Sequence, residues 1–254
     1  MNITGNTIFI TGGGTGIGRG LAEAFHARGN AVIISGRRQG ILDRVTAANP
    51  GMTSVQLDVE DADSIRATTT ELFRTHPEVN VLVNNAGILR AESVHDLARM
   101  RADAETTIST NLLAPLRLTN AFLQHFHDDA LTNPDALHAI INVSSGLAFV
   151  PLVIAPTYNK TEAAIHAYSE SLRAQLNGTT TSIIELIPPM VATDIVAGQS
   201  SNPHALALDA YIDQTMLLLE AEPDATEIVI DSVRFLRYAE REGRYQSTFS
   251  LLNA

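Results

Sequence analysis

Short runs that are apolar almost throughout alternate along the chain with longer segments in which apolar residues recur every three or four positions. The short runs are Thr7–Thr11, Ala31–Ser35, Ser54–Leu57, Val79–Val83, Ala139–Val143 and Ser182–Ile187. They are rich in β-branched residues and do not alternate with polar ones, which is how strands covered on both faces read. The longer segments, Ile17–Arg28, Arg38–Ala48, Asp61–Thr75, Ala102–His127 and Tyr158–Leu176, read as amphipathic helices. This alternation predicts an α/β fold. The expected form is a single doubly wound domain over 1–254, with a mainly parallel sheet of six or seven strands and helices on both faces. Right-handed crossovers then place a ligand at the carboxyl ends of the strands.

No composition break marks a second domain, and no repeat is visible. The segment Val191–Asp209 is rich in Gly, Ser, Asn and Pro and precedes a helical run, Ala210–Glu220. Its place after a strand predicts a substrate lid over about 191–220. A further helical run is expected from Pro223 to Glu242, before the end "EGRYQSTFSLLNA".

The chain has 254 residues, of which 45% are hydrophobic and 18% charged, so a buried core is affordable and disorder is not expected. Its formal net charge of -11 argues against nucleic acid or an anionic membrane as partner, because such binding neutralises phosphates with Lys and Arg. A local basic pocket remains compatible with that balance. With no cysteine there are no disulfides, thiol nucleophiles or thiolate metal sites. No run reaches the roughly 18 apolar residues of a membrane span. The start "MNITGNTIFITGGG" lacks a basic leader, so a cytoplasmic location is expected.

The stretch "TIFITGGGTGIGRGLAEAF" sets Gly12, Gly16 and Gly18 between the first strand and a helix. Glycines there permit a tight turn and close backbone approach, and the helix start offers free N–H groups and a positive dipole to a pyrophosphate. The loop, with Gly14, Thr15 and Ile17 inside it, is the expected dinucleotide cradle. The second strand ends "ISGRRQG", with Arg37 and Arg38 and no carboxylate. Two guanidinium groups where a ribose carboxylate partner would stand favour NADP over NAD. The alternative for either arginine is a solvated charge at a helix start, a position where the dipole opposes cations.

Together "TGGGTGIG" at 11–18, "NNAG" at 84–87, "NLL" from Asn111, "NVSS" at 142–145, Tyr158 and "PPMVAT" at 188–193 resemble, in order and spacing, the short-chain dehydrogenase/reductase family. The resemblance runs from about Asn6 to Tyr245 and points to the NADP-preferring single-domain (Rossmann) members. It implies that Asp58 meets the adenine and that Asn85, Ala86 and Gly87 lie along the adenosine ribose. Pro188, Val191 and Thr193 would serve the nicotinamide end. It also implies Asn111 holding a water in a proton relay, Ser145 hydrogen-bonding a substrate carbonyl oxygen, and Tyr158 exchanging the proton. Hydride transfer belongs to the cofactor, so the protein must position it and manage one proton. Ser145 and Tyr158 are suited to a developing oxyanion. The expected substrate is a small-molecule ketone, aldehyde or alcohol.

The family pattern Tyr-x-x-x-Lys is broken here. In "TYNKTEAAIHAY" the lysine position is Glu162, and Lys160 lies two residues after Tyr158. Positions i and i+4 share a helix face, whereas i and i+2 lie roughly 200° apart at about 100° per residue. Lys160 therefore points elsewhere. A carboxylate beside Tyr158 disfavours its phenolate. The expectation is a weak reductase, an enzyme of unusual pH dependence, or a protein that binds cofactor without turnover. A serine hydrolase lacks the GxSxG elbow, and eight scattered histidines include no HExxH pair, so no metal is expected.

The family's last strand is not evident near the end of this chain, which leaves a seventh strand, and a tetramer built on it, doubtful. A homodimer through the two helices holding Asn111 and Tyr158 is the expected assembly. Leu112, Leu113, Leu116, Phe122, Ile165 and Leu172 can serve either core or interface.

Overall fold

The computed structural model describes residues 1–254. Seven strands form one wholly parallel sheet: β1 Thr7–Thr11, β2 Ala31–Gly36, β3 Thr53–Gln56, β4 Val81–Asn84, β5 His138–Val143, β6 Thr181–Leu186 and β7 Glu227–Ile228. Their order is β3-β2-β1-β4-β5-β6-β7. The order reverses beside β1, whose neighbours are β2 and β4. The crossovers therefore leave that crevice open at the carboxyl ends of the strands.

Alternation along each strand sends side chains to opposite faces. Ile8, Ile10, Ile34, Val83, Ile141 and Ile184 face a core of 28 buried residues. It is closed by α1 (Gly16–Ala27), α2 (Gln39–Ala48) and α7 (Leu208–Ala221). Phe9, Ile33, Leu82, Ile140 and Ile183 face a second core of 15. That one is closed by α3 (Ala62–Thr75), α5 (Ala114–Thr132) and α6 (Pro156–Gln175). Both faces are buried, which is why the strand runs lack polar alternation.

The helical segment expected over Ala102–His127 is longer and is interrupted. α4 covers Leu97–Ile108, a π-helical turn covers Ser109–Leu113, and α5 follows. Pro115 explains the break. It has no N–H to give the carbonyl four residues back, that of Asn111, and its ring would clash there in an α-helix. The widened turn holds Asn111, so the same proline places that side chain.

The helical run expected over Pro223–Glu242 is broken too, and the seventh strand exists. Glu185 N–H donates to Thr226 O at 2.9 Å and Ile187 N–H to Ile228 O at 3.2 Å. Buried donors of β6 need partners, and this stretch supplies them instead of coiling. Only short turns remain helical, at Asp231–Val233 and at α8, Arg234–Arg237, before α9 at Tyr245–Leu252. The segment 191–207 folds back on itself: Leu206 N–H donates to Met190 O, Ala192 N–H to Leu206 O, and Gln199 Nε2–H to Val191 O at 2.8 Å.

Of the six ambiguous apolar positions, Phe122, Ile165 and Leu172 are core, whereas Leu112, Leu113 and Leu116 keep surface. Phe122 is fully buried against Phe9, Phe73 and Phe126, with ring centroids 5.8, 5.0 and 5.7 Å away. Phe122→Ala should lower stability by about 3–5 kcal/mol, because the cavity cannot collapse between a strand and two helices. Urea unfolding at constant m-value measures it.

Candidate active site

The glycine loop sits at the carboxyl end of β1. Gly12 has φ +67°, and a Cβ there would stand 3.0 Å from the Ala86 Cα. A Cβ on Gly18 would stand 2.5 Å from Gly12 O, so helix α1 packs tightly under the turn. The loop is tied to the end of β4 through Thr11, whose hydroxyl accepts from Asn85 N–H and Ala86 N–H, both at 3.0 Å. Asn85 Nδ2–H donates to Thr11 O at 2.9 Å. Thr193 Cγ2 lies where a Cβ on Gly16 would meet it at 3.4 Å, so the segment after β6 reaches the loop. Gly14, Thr15, Ile17 and Gly87 belong to this same strand-end region, with Thr15 as the residue before α1.

Arg37 and Arg38 are both exposed at the end of β2. Arg37 is already paired with Glu60 at 3.0 Å, whereas Arg38 forms no ion pair and stands at the start of α2. Asp58 is half-buried, and one carboxylate oxygen accepts from Glu60 N–H at 3.0 Å. Val191 O accepts from both Thr193 N–H and Gln199 Nε2–H at 2.8 Å, which uses both lone pairs. Of the Val191 backbone groups that sequence reasoning offers to a cofactor, the carbonyl is thus taken in this structure. Pro188 O accepts from Gly146 N–H at 3.0 Å, joining the ends of β5 and β6.

Ser145, Tyr158, Asn111 and Glu162 come together beyond β5. Ser145 follows β5, at the start of a 3-10 turn, and its hydroxyl accepts from Leu147 N–H at 3.1 Å beside Tyr158. Tyr158 and Glu162 lie on the buried stripe of α6, in register with Ile165, Ser169 and Leu172. Lys160 is exposed on the other flank. There it lines a shallow groove of about 640 Å³ between α4 and α6, with Leu97, Met100, Ile108, Leu112 and Ala164. Asn111 bridges: its Oδ1 accepts from Ile88 N–H and its Nδ2–H donates to Ile88 O, both at 2.9 Å. The same amide reaches Glu162 Oε1 at a long 3.5 Å.

Burial first, then the charge of Glu162, pushes the Tyr158 phenol well above its ordinary value, and Ser145 opposes them in part. Glu162 is 5% exposed. Burial, then the nearby charge of Glu185, pushes its carboxyl up to about 8, against the Asn111 hydrogen bond. No lysine, arginine or histidine pairs with it. Glu162 therefore holds its proton more tightly than an ordinary glutamate.

Two contributors escape motif reading. Glu185 lies next to the carboxyl end of β6, and Glu92 accepts from Thr157 N–H and Thr157 Oγ–H at 2.9 Å, holding a carboxylate at the start of α6. Glu185 had a visible signal: it is a carboxylate inside an otherwise apolar run. Glu92 had none, because its role depends on a loop meeting a distant helix.

With this geometry in place, the comparisons fall into line. A short chain dehydrogenase family model matches residues 6–204. The chain belongs to that family of oxidoreductases. It is 39% identical over 196 residues to the uncharacterized oxidoreductase DltE of Bacillus subtilis, covering 77% of this chain and 75% of that protein. It is 32% identical to the NADPH-dependent 1-acyldihydroxyacetone phosphate reductase of Schizosaccharomyces pombe, over 83% and 67% of the two. It is 29% identical to a sulfoacetaldehyde reductase of Chromohalobacter salexigens, over 84% and 83%. Its fold matches a short-chain dehydrogenase of Burkholderia cenocepacia solved with NADP, at TM-score 0.81, 24% identity and full coverage of both chains. It also matches one of Burkholderia phymatum solved with NAD, at TM-score 0.80 and 18% identity, over 97% and 96%.

A carboxyl raised from 4.5 to about 8 on folding makes stability depend on pH. Below the lower value both states are protonated. Between the two, the unfolded state ionises and the folded state does not, so stability falls by roughly 1.4 kcal/mol per pH unit. Glu162→Gln removes that loss. The variant should match the parent near pH 4.5 and exceed it by several kcal/mol above pH 8. Thermal or urea unfolding at pH 5, 7 and 9 measures the widening gap; a constant gap would contradict it.

Proposed function

We propose that this protein is an NADP-dependent reductase of small ketones or aldehydes. The observation that carries the reading is the buried Ser145–Tyr158 pair at the end of β5, on the sheet edge that also holds the glycine loop. The cofactor cradle fits a dinucleotide. The glycine turn brings the free N–H groups at the start of α1 to the carboxyl end of β1, where a pyrophosphate would lie; one Asp58 oxygen stays free for the adenine, and Arg38, which forms no ion pair, would stand by the adenosine ribose. The 1-acyldihydroxyacetone phosphate reductase and the sulfoacetaldehyde reductase are both named for carbonyl reduction, which favours that direction here.

When bound, the nicotinamide supplies the hydride that reaches the carbonyl carbon. Ser145 and Tyr158 donate hydrogen bonds to the carbonyl oxygen, and Tyr158 Oη gives up its proton to it. The raised phenol stands protonated, so it has a proton to give but no basic form with which to take one from an alcohol. Glu162 takes the place of the family's lysine. Burial favours its protonated form, and where it ionises its charge holds the Tyr158 phenol up.

A second reading has its own observation. No cation faces Tyr158, and the one nearby lysine, Lys160, lies on the opposite flank of α6. A protein that binds NADP(H) without turnover fits that as well. In either case the exposed Leu97, Ile108 and Leu113 around α4 and the π turn offer a surface for a homodimer.

NADPH oxidation with a panel of ketones and aldehydes decides between the two. Tyr158→Phe should reduce kcat/KM by roughly 10²–10⁴-fold and Ser145→Ala by about 10²–10³-fold. An inert parent that Glu162→Lys activates would establish the second reading. Arg38→Ala should weaken NADPH binding by about 10–100-fold and leave NADH binding nearly unchanged, by fluorescence titration.

A further inference from the structure

The proposed chemistry needs Ser145, just past β5, and Tyr158, on α6, held at a fixed offset. The strands are locked to one another by backbone bonds: Ser144 N–H donates to Leu186 O at 2.9 Å, and Gly146 N–H to Pro188 O at 3.0 Å. A helix lying on a sheet has no such ladder. Apolar burial presses it down, but that force is non-directional and leaves slide and rotation free. Hydrogen bonds are directional and can fix both.

Such bonds converge on Glu185. Alternation turns Ile140, Asn142 and Ser144 on one side, and Ile183 and Glu185 on the next strand, toward the core that α6 closes. Glu185 is fully buried. Its Oε1 accepts from Ser144 Oγ–H at 2.6 Å, and its Oε2 accepts from His166 Nδ1–H at 2.8 Å. Ser144 is the residue before Ser145, and His166 stands about two turns after Tyr158 on the same helix. One carboxylate thus grips the strand end with one oxygen and the helix with the other. Asn142 Nδ2–H donates to Ser169 at 2.9 Å, about one turn further along α6 and further from the site.

We propose that Ser144, Glu185 and His166 form a tie that sets α6 against the end of β5, with Glu185 as the positioning residue that fixes Tyr158 relative to Ser145. Its consequence for turnover rests on the reductase reading above; the tie itself does not.

The groups around the tie keep it charged and in place. The Arg173 guanidinium lies 3.6 Å from Glu185, and Arg173 also donates from Nε to Ile183 O at 3.1 Å and from Nη2 to Thr226 O at 2.7 Å. The bond to Glu185, ahead of the burial that opposes it, raises His166 above its ordinary value. Glu170, exposed on α6, lies 3.8 Å from the other His166 nitrogen. Phe149 packs edge-on against the His166 ring at 4.7 Å and carries Arg237 of α8 stacked 4.4 Å above it. Arg237 is paired with Glu227 of β7 through two bonds of 2.8 Å. The role suits a buried charged group, which adds little net stability but discriminates between alternative packings.

The test uses the full-length protein with Ser144→Ala, which cuts the strand side of the tie, and His166→Leu, which cuts the helix side. Each should lower kcat for NADPH-dependent reduction by about 10–100-fold, the scale of a small misplacement of reacting groups, and leave NADPH binding nearly unchanged. Together they should cost little more than either alone, because one cut already frees the helix. Ser144→Thr keeps the hydroxyl and His166→Asn keeps an N–H donor, so these variants should recover most of kcat. The ring resonance of Tyr158, in protein labelled at its tyrosines and assigned with Tyr158→Phe, should shift in Ser144→Ala and His166→Leu and return in the two conservative variants. Glu170→Gln, on the exposed side of His166, should change neither readout. In Glu185→Gln the added Ser144→Ala should have little further effect; if Glu185→Gln does not fold, the Ser144 and His166 variants carry the test. Full additivity of the two cuts, an unmoved Tyr158 resonance, or a loss that neither conservative variant recovers overturns the tie. A parent that turns nothing over overturns the reductase reading instead, and the resonance alone then decides the tie.

Discussion

A parallel sheet delivers all its strand ends to one edge, and each polar group buried there must find a partner inside the protein. This constraint shapes the whole carboxyl edge. The Thr11 hydroxyl takes two backbone donors from the end of β4. Asn84 Nδ2–H donates to Asn142 Oδ1 at 2.9 Å, and Asn142 Nδ2–H donates to Ser169 on α6 at the same distance. Ser144 donates to Glu185 one strand over. The chain of bonds runs from the glycine loop to the helix that bears Tyr158. The residues proposed for the chemistry are thereby tied to the sheet, as accurate positioning requires.

Charge is distributed along this edge as carefully as hydrogen bonds. A buried carboxylate is tolerable only when donors or cations surround it. Glu185 meets that condition, whereas Glu162 receives one long amide contact and burial raises its carboxyl. On the face of α6 that carries Tyr158 this chain sets Glu162, buried and paired with no cation, and the one lysine nearby, Lys160, lies exposed on the other flank.

The break in the long helix shows how one residue serves two levels of structure. Pro115 cannot continue an α-helix through Asn111, and the resulting π turn brings that side chain inward. Asn111 then clamps the backbone of Ile88 with two hydrogen bonds and reaches Glu162 with the rest of its amide. A local covalent restriction thus becomes a contact between the end of β4 and the site.

Much of this was legible in the sequence by itself. Six strands and five helices follow from hydrophobic periodicity, because that pattern records which faces are buried. The glycine loop and the place of Tyr158 and Ser145 follow from local motifs whose spacing is set by a strand end or a helix turn. That Lys160 could not stand beside Tyr158 followed from helix geometry alone. The tertiary structure decided the rest. β7 forms because β6 has edge donors to satisfy, a demand that residues 223–242 do not carry in their own pattern. Glu92 reaches the start of α6, and Gln199 occupies the Val191 carbonyl, through contacts between segments that share no local signal. How tightly Glu162 holds its proton depends on the elements that close over it and on where Glu185 and Asn111 come to stand. Protonation is set by everything within a few ångströms, and only the folded chain brings those groups together.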